Sequence, residues 1–397
     1  MPSVPFEEIQ RRSQAFQLRL TDSAVDAALI LQNNDLYYLA GTIQTSHLLV
    51  PASGEVRLLV RKVLERARDD SPLGHIEPMT SLKALPDEIA RVCGPRPWRI
   101  GMELDVLPAT LLDLYQRILG EDVEIVNVSP ALLAVRAVKS EWEIDQMKES
   151  ARINDSIYHA VPEILREGLS SFDLQSLLND HACRQGHVGL VRMRGFNIDG
   201  LIGVVVSGPG GAAPGHSQFP IGGLGLHSVI AHGGDATPIQ RNVPVIFDYL
   251  ANRNGYHHDQ TRMAALGGFP DRARDIFEAM TTVLREVEAA LKPGAIPSKI
   301  YENVLARVGD MGLADGFLGP PGYAVGFVGH SLGIEVNETP VLARKFDDPL
   351  VEGNTLAVEP KFTHPEYGVI GLENTYVIRQ NGPESLGTTP EHILEVN

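Results

Sequence analysis

The stretch that most constrains this chain is residues 243–262, VPVIFDYLANRNGYHHDQTR, an apolar run, a turn and a polar run, with Asp248 and Asp259 on either side. Val, Ile and Phe suit a pleated strand. Asn254-Gly255 is the strongest short hairpin signal, because a type I′ turn needs positive φ at both central residues. A loop at Asn254-Gly255 pairs Arg253 with Tyr256, sets Asp248 opposite Thr261 and makes Asp259 its diagonal neighbour on the same face. A loop at Arg253-Asn254 sets the two Asp residues directly opposite one another. Either converges the carboxylates, because side chains alternate faces with period two. Carboxylates about 4.5–8 Å apart on one face repel, and a shared cation is the commonest way to keep both ionised. A solvated edge hairpin would carry the same pattern, so this segment alone leaves both readings open.

The rest of the chain narrows the choice. With 397 residues, 43% of them hydrophobic, it is long enough for two domains with separate cores. Fifty acidic against thirty-four basic residues give a net charge of −16, which argues against nucleic acid or an anionic membrane as partner. Cys93 and Cys183 are far apart and lack metal-type spacing, so neither a disulfide framework nor a thiolate zinc site is suggested. No apolar run approaches the roughly 18 residues of a membrane span, and the N-terminal segment has no apolar signal-peptide centre. A soluble, cytoplasmic protein is expected.

Residues 6–20 carry apolar positions at helical spacing, and AALIL, LYYLAG, HLLVP and VRLLV read as strands. Two further helices, LKALPDEIARVC and ATLLDLYQRIL, flank the strand WRIGMEL, and VEIVNV adds another. This predicts an α/β domain over residues 1–135. Its isolated His47, His75 and Glu103 suggest no chemistry. From residue 136 the texture changes. Ser140 with Glu143 three residues on forms a capping box for a helix running to about Arg166. Gly168 stops it, and a second helix runs from Ser171 to Gly186, with His181 and His187 near its end. Residues 188–232 are glycine-rich but match no phosphate loop, and long loops of this kind are usually functional. His216 and His232 are the imidazoles there that could reach a substrate. Two amphipathic helices follow the hairpin, joined by KPGAIP.

The final third repeats the carboxylate theme. In GFVGHSLGIEVNETP, glycines flank His330, and a strand through the segment would place His330 and Glu338 on one face. In NTLAVEPKFT-HPEYG-VIGLENTYVIR, a five-residue loop pairs Thr363 with Val369 and therefore Glu359 with Glu373. Two hairpins that each converge a carboxylate pair, with a histidine between them, are hard to explain as surface decoration. Four carboxylates and one imidazole suit Mn²⁺, Co²⁺ or Fe²⁺ and tolerate Zn²⁺. Their charge predicts two divalent ions, about 3.5–4 Å apart, able to deprotonate a shared water for hydrolysis.

The pattern D-(ten residues)-D-x-T-R, then G-H-x-x-G-x-x-x-x-E-x-P, then E-P and E-x-T resembles the pita-bread metallopeptidases of the Xaa-Pro dipeptidase and aminopeptidase P type. The resemblance covers the whole chain. It implies an α+β architecture: a pita-bread catalytic domain over residues 136–397 behind a creatinase/prolidase-type N-terminal α/β domain. It implies Asp248 on one metal, Asp259 and Glu373 bridging both, and His330 and Glu359 completing the other's shell, with Glu359 also the base for the bridging water. His232 falls about where the family has a substrate-contacting histidine, with His216 as the alternative, and Glu338 matches a Glu that orients the site. A homodimer and a small peptide substrate, most readily Xaa-Pro, are further implications.

Three departures bear on substrate. Asn337 stands where those peptidases usually carry a second His that contacts the substrate and helps stabilise the tetrahedral intermediate; as a catalytic candidate it can donate one hydrogen bond but cannot carry a proton. Tyr249-Leu250 replaces the usual x-Gly after the first Asp, making the pocket wall bulkier. The loop 208–225 is longer or richer in glycine. A carboxylate-binding Arg is expected in the pocket, with Arg344 the first candidate and Arg192, Arg194 and Arg262 the others, Arg262 being suited to a structural role. The alternatives to a peptidase are a metal-dependent enzyme of the same fold acting on a non-peptide amide or other small molecule, and a metal-free creatinase-like protein.

Overall fold

The computed structural model describes residues 4–215 and 219–397. The chain forms two compact units, Met1–Arg136 with Arg194–Asn197, and Ala137–Met193 with Ile198–Asn397.

In the first unit the strands are β1 (Ala27–Ile30), β2 (Ser46–Pro51), β3 (Arg57–Val60), β4 (His75–Pro78), β5 (Trp98–Met102) and β6 (Val123–Asn127). They form one mixed sheet in the order β4-β3-β2-β1-β5-β6. Helices α1 (Phe6–Asp22), α2 (Asn33–Ala40), α3 (Leu64–Asp70), α4 (Leu85–Cys93), α5 (Ala109–Leu119) and α6 (Ser129–Arg136) accompany it. The residues LYYLAG, read as a strand, are instead the end of α2. Gln32 caps that helix by accepting from the backbone N–H groups of Asn34 and Asp35, and Gly41 ends it in the left-handed region at φ 72°. Local capping outweighs the strand preference of two tyrosines.

The second unit opens with α7 (Glu141–Ile164), whose capping box between Ser140 and Glu143 is formed as the sequence predicts. Then come α8 (Ser171–Arg184), β7 (Gly203–Ser207), β8 (Pro244–Arg253), β9 (Tyr256–Leu266), α9 (Asp271–Ala290) and α10 (Pro297–Asp310). The remaining strands are β10 (Phe327–Ser331), β11 (Glu338–Ala343), β12 (Thr355–Val358), β13 (Lys361–His364), β14 (Gly368–Gly371), β15 (Asn374–Arg379), β16 (Gly382–Ser385) and β17 (Leu394–Val396). They make sheets in the orders β17-β9-β8-β7 and β11-β10-β12-β15-β16, with β13-β14 as a separate ribbon.

Alternation along β8 explains how the site is aimed. Val245, Phe247, Tyr249 and Ala251 point into a core shared with Ile157 and Val161 of α7 and Leu174 and Leu178 of α8. Ile246 points the other way, into a core with Ile276, Met280 and Leu284 of α9 and with Val358 and Tyr376 of the second sheet. Asp248 shares the face of Ile246. Burying each such aliphatic side chain contributes about 1.5–3 kcal/mol, so the register that aims Asp248 is fixed by its apolar neighbours.

Gly203 lies opposite Tyr249 in the β7–β8 ladder. A Cβ there would stand 2.2 Å from Tyr249 Cε1, so the buried phenol, whose hydroxyl donates to Gln175 O at 3.1 Å, occupies the space a side chain would need. Gly203→Ala should therefore destabilise the protein by about 1–3 kcal/mol, read as a lower denaturant midpoint at unchanged slope.

Candidate metal centre

The first carboxylate pair comes from β8 and β9. The turn is Asn254-Gly255, with φ of 55° and 86°, so the I′ alternative holds: Arg253 pairs with Tyr256, Asp248 with Thr261 and Leu250 with Asp259. The two Asp residues are diagonal neighbours on one face. The second pair comes from a register kept across a break. Thr363 pairs with Val369 in the β13–β14 ribbon, Val358 pairs with Asn374 in the β12–β15 ladder, and Glu359 and Glu373 face each other between the two.

Thr261 and Arg262 tie the hairpins together. Thr261 Oγ1 donates to Glu373 Oε2 at 2.8 Å, and Glu373 N donates to Thr261 O at 3.2 Å. The buried Arg262 guanidinium donates to Glu373 O at 2.7 Å, Asn374 Oδ1 at 2.8 Å and Thr389 O at 3.0 Å. Arg262 is thus structural and unavailable to a substrate carboxylate. Thr375 Oγ1 donates to Asp259 O at 2.9 Å, fixing the other bridging candidate.

His330, on β10, completes the set. Its Nδ1 lies 2.8 Å from the carbonyl oxygen of Val336 and 3.2 Å from that of Ser331. Two acceptors there require Nδ1 to carry the proton, which leaves the lone pair on Nε2, the form that binds metal. Nε2 stands 3.7 Å from Asp259 Oδ2 and 3.5 Å from Glu359 Oε1. Ligand atoms of Asp259, His330 and Glu373 lie within 4.8 Å of one another, as do those of Asp248, Glu359 and Glu373. Asp259 Oδ1 and Glu373 Oε1 are buried without a hydrogen-bond partner. Two orphaned carboxylate oxygens beside a histidine lone pair fit a divalent cation.

The second group already has a cation that the sequence reading overlooked. Lys361 is fully buried, and its Nζ donates to Glu359 Oε2 at 2.6 Å, Glu373 Oε2 at 2.9 Å and Asp248 Oδ2 at 3.0 Å. Burial opposes its charge, but Asp248, Glu359 and Glu373 outweigh that and hold the ammonium well above its ordinary pKa. Burial, then Glu373 and Asp248, pushes Asp259 well above the usual carboxylate range. Burial, then Glu359, pushes Glu373 up to about 7. Position +2 from Glu359 on an extended chain was the available signal, since i and i+2 share a face.

A cleft opens over this centre. Asp248, Asp259, His330, Glu359 and His232 line its polar end, and Leu201, Val204, Phe219, Pro220, Ile221 and Leu250 are among its other walls. His232 is buried and stacks on Phe219, with ring centroids 5.5 Å apart. Leu250 supplies the bulk that its replacement of glycine implies. His216 lies outside the described residues.

The other expected substrate residues are placed elsewhere. Arg344 is exposed in the turn after β11, and Asn337 is also exposed; neither lines the cleft. Arg192 is half-buried outside it, and Arg194 pairs with Asp35 at 2.8 Å and Asp105 at 2.5 Å. Glu338 does not share a strand face with His330. The chain turns back after Ser331, which pairs with Glu338 across the β10–β11 ladder. The Glu338 carboxylate accepts from Lys139 Nζ at 2.9 Å and from Glu335 N at 3.1 Å, all buried. It holds the turn whose Val336 carbonyl orients His330.

The fold of the second unit is that of the pita-bread metallohydrolases. The structure superposes on the dipeptidase PepE of Mycobacterium ulcerans with a TM-score of 0.81 at 22% identity, over 100% of both chains. The profile of metallopeptidase family M24 matches residues 145–380, and that of the creatinase/prolidase N-terminal domain matches residues 12–138. The chain belongs to metallopeptidase family M24. Among sequence relatives, an uncharacterized peptidase, YqhT, of Bacillus subtilis is 24% identical over 93% of this chain and 96% of its own length. An Xaa-Pro dipeptidase of Pyrococcus furiosus is 22% identical over 94% and 97%. Among the described residues, no helix is long and apolar enough to cross a membrane.

Removing the Glu338 carboxylate would leave the Lys139 ammonium buried and unpaired. Glu338→Ala should destabilise the protein by about 3–5 kcal/mol in urea titrations. A purely catalytic Glu338 would leave the midpoint unchanged.

Proposed function

We propose that this protein hydrolyses the N-terminal peptide bond of short peptides, with Xaa-Pro the preferred substrate, in a metal-dependent reaction. The observation that carries this reading is the Asp259–His330–Glu373 group, with His330 fixed in its ligand tautomer and two carboxylate oxygens unpartnered, at the polar end of a cleft with apolar walls. The Xaa-Pro dipeptidase of Pyrococcus furiosus, alignable over nearly the whole chain, supports the substrate class.

A bound divalent ion would supply a Lewis acid for the scissile carbonyl and lower the pKa of an attacking water. Glu359 Oε1, the oxygen that Lys361 does not hold, faces His330 and is placed to take the proton from that water. The acidic end of the cleft suits the free α-ammonium of a peptide, and the apolar walls suit a compact side chain such as proline. His232, held against Phe219, is the described imidazole placed to donate to the carbonyl oxygen as negative charge develops there. The two-ion form of the reaction needs the space that Lys361 Nζ takes, so the reading adopted is one divalent ion beside that ammonium. Dimerisation and a cytoplasmic location remain part of the proposal.

The exposed Asn337, standing where a catalytic His is usual, favours the second reading: a non-peptide amide or other small substrate. Mn²⁺- or Co²⁺-loaded protein should cleave Xaa-Pro dipeptides faster than Xaa-Ala, and N-acetylation of the substrate should abolish cleavage. Equal cleavage of the acetylated substrate, or no peptide cleavage at full metal occupancy, would decide for the second reading. His232→Ala should lower kcat by on the order of 10²–10³ while metal content stays constant.

A further inference from the structure

We propose that Lys361 takes the place of one of two metal ions, so that the centre binds a single divalent ion, between Asp259, His330 and Glu373, beside a built-in ammonium. The inference rests on the metal-dependent reading above. The acidic site divides into two groups that share Glu373, and only one of them has room for an ion.

In the Asp248–Glu359–Glu373 group, Lys361 Nζ is within 3.0 Å of an oxygen of each carboxylate. An ammonium has three donors, and all three are used. A cation coordinated by the same oxygens would have to displace Nζ, and the fully buried Lys361 side chain would have to leave its cavity. In the Asp259–His330–Glu373 group the opposite holds. The His330 lone pair and the unpartnered Asp259 Oδ1 and Glu373 Oε1 lack a cation: Lys361 bonds only the other oxygen of Glu373, and among the described residues no lysine or arginine side chain bonds Asp259 or His330.

Charge points the same way. Two divalent ions balance four carboxylates, whereas two ions together with Lys361 would leave the centre net positive. One ion with Lys361 leaves a single negative charge, which suits a cleft that admits an α-ammonium. Lys361 also holds Glu359 Oε2 and Asp248 Oδ2 in place with no donor left for substrate, so it acts as a positioning residue and counter-ion.

Chelator-stripped protein, reloaded with excess Mn²⁺ and desalted, should retain one equivalent and show the spectrum of an isolated, uncoupled Mn²⁺. Two retained equivalents with an exchange-coupled spectrum, or none, would overturn the proposal. Asp248→Asn removes no ligand of the ion and should retain the one equivalent, whereas His330→Ala should weaken binding by at least roughly 100-fold. Release of the ion by Asp248→Asn would place it at the lysine group and sink the idea. Lys361→Ala should take up a second equivalent; retention of one alone in the folded variant would also count against the proposal. Metal counting is independent of substrate. A protein with one ion and no peptide hydrolysis keeps this inference and loses the peptidase reading, and two ions with hydrolysis does the reverse.

Discussion

Four carboxylates converge in a site where three of them are almost wholly buried, and the architecture depends on what offsets their repulsion. Unit charges about 4 Å apart interact by about 4 kcal/mol at an effective dielectric of 20, and each buried ion adds several kcal/mol of desolvation. The Lys361 ammonium answers both costs at once by bonding Asp248, Glu359 and Glu373. Asp259 receives no bond from that ammonium, and burial and then Glu373 push its pKa well above the usual carboxylate range. The buried carboxylates are thus unequal in what they lack, and that inequality marks where an added cation would be held.

Holding the carboxylates at those positions is the task of groups that never face the cleft. Arg262 on the first hairpin binds the backbone of the second at Glu373 O, and Thr261 and Thr375 exchange bonds with Glu373 and Asp259. The Lys139–Glu338 pair braces the turn whose carbonyl sets the tautomer of His330. Through these ties the register of two separate sheets is converted into side-chain geometry. A slip of one residue in either hairpin would turn its carboxylates to the opposite face.

What was legible in the sequence was whatever strand periodicity and turn chemistry determine locally. Asn254-Gly255 announces its own turn, so the Asp248–Asp259 relation followed, and the HPEYG turn centred on Glu366 gave the register that faces Glu359 with Glu373, although His364 and Gly368 also pair and shorten the expected five-residue loop to three. The capping box at Ser140 was readable for the same reason. Where several residues of irregular chain intervene, the reading failed. Glycine and a turn between Ser331 and Glu338 cancel the alternation that seemed to link His330 with Glu338, and Arg344 lies one residue past a strand end, where no face is defined. LYYLAG misled because strand propensity ignores the caps at Gln32 and Gly41.

Lys361 was not legible for a different reason: it stands in a readable position, but its charge is the opposite of a metal ligand's. A strand that places Glu359 on the inner face must place residue 361 there too, and a lysine so placed has only two outcomes. It can reach water past the carboxylates, or it can pair with them. The β13–β14 ribbon buries it, which removes the first outcome, and three carboxylates within 3.0 Å satisfy the second. A side chain that serves as counter-ion is always present and fixed in position, whereas a metal ion must be captured and can be lost. Fixing one of the cations covalently therefore leaves the hairpins already pulled together and reserves for the ion the group that opens, through His330 and Asp259, onto the cleft.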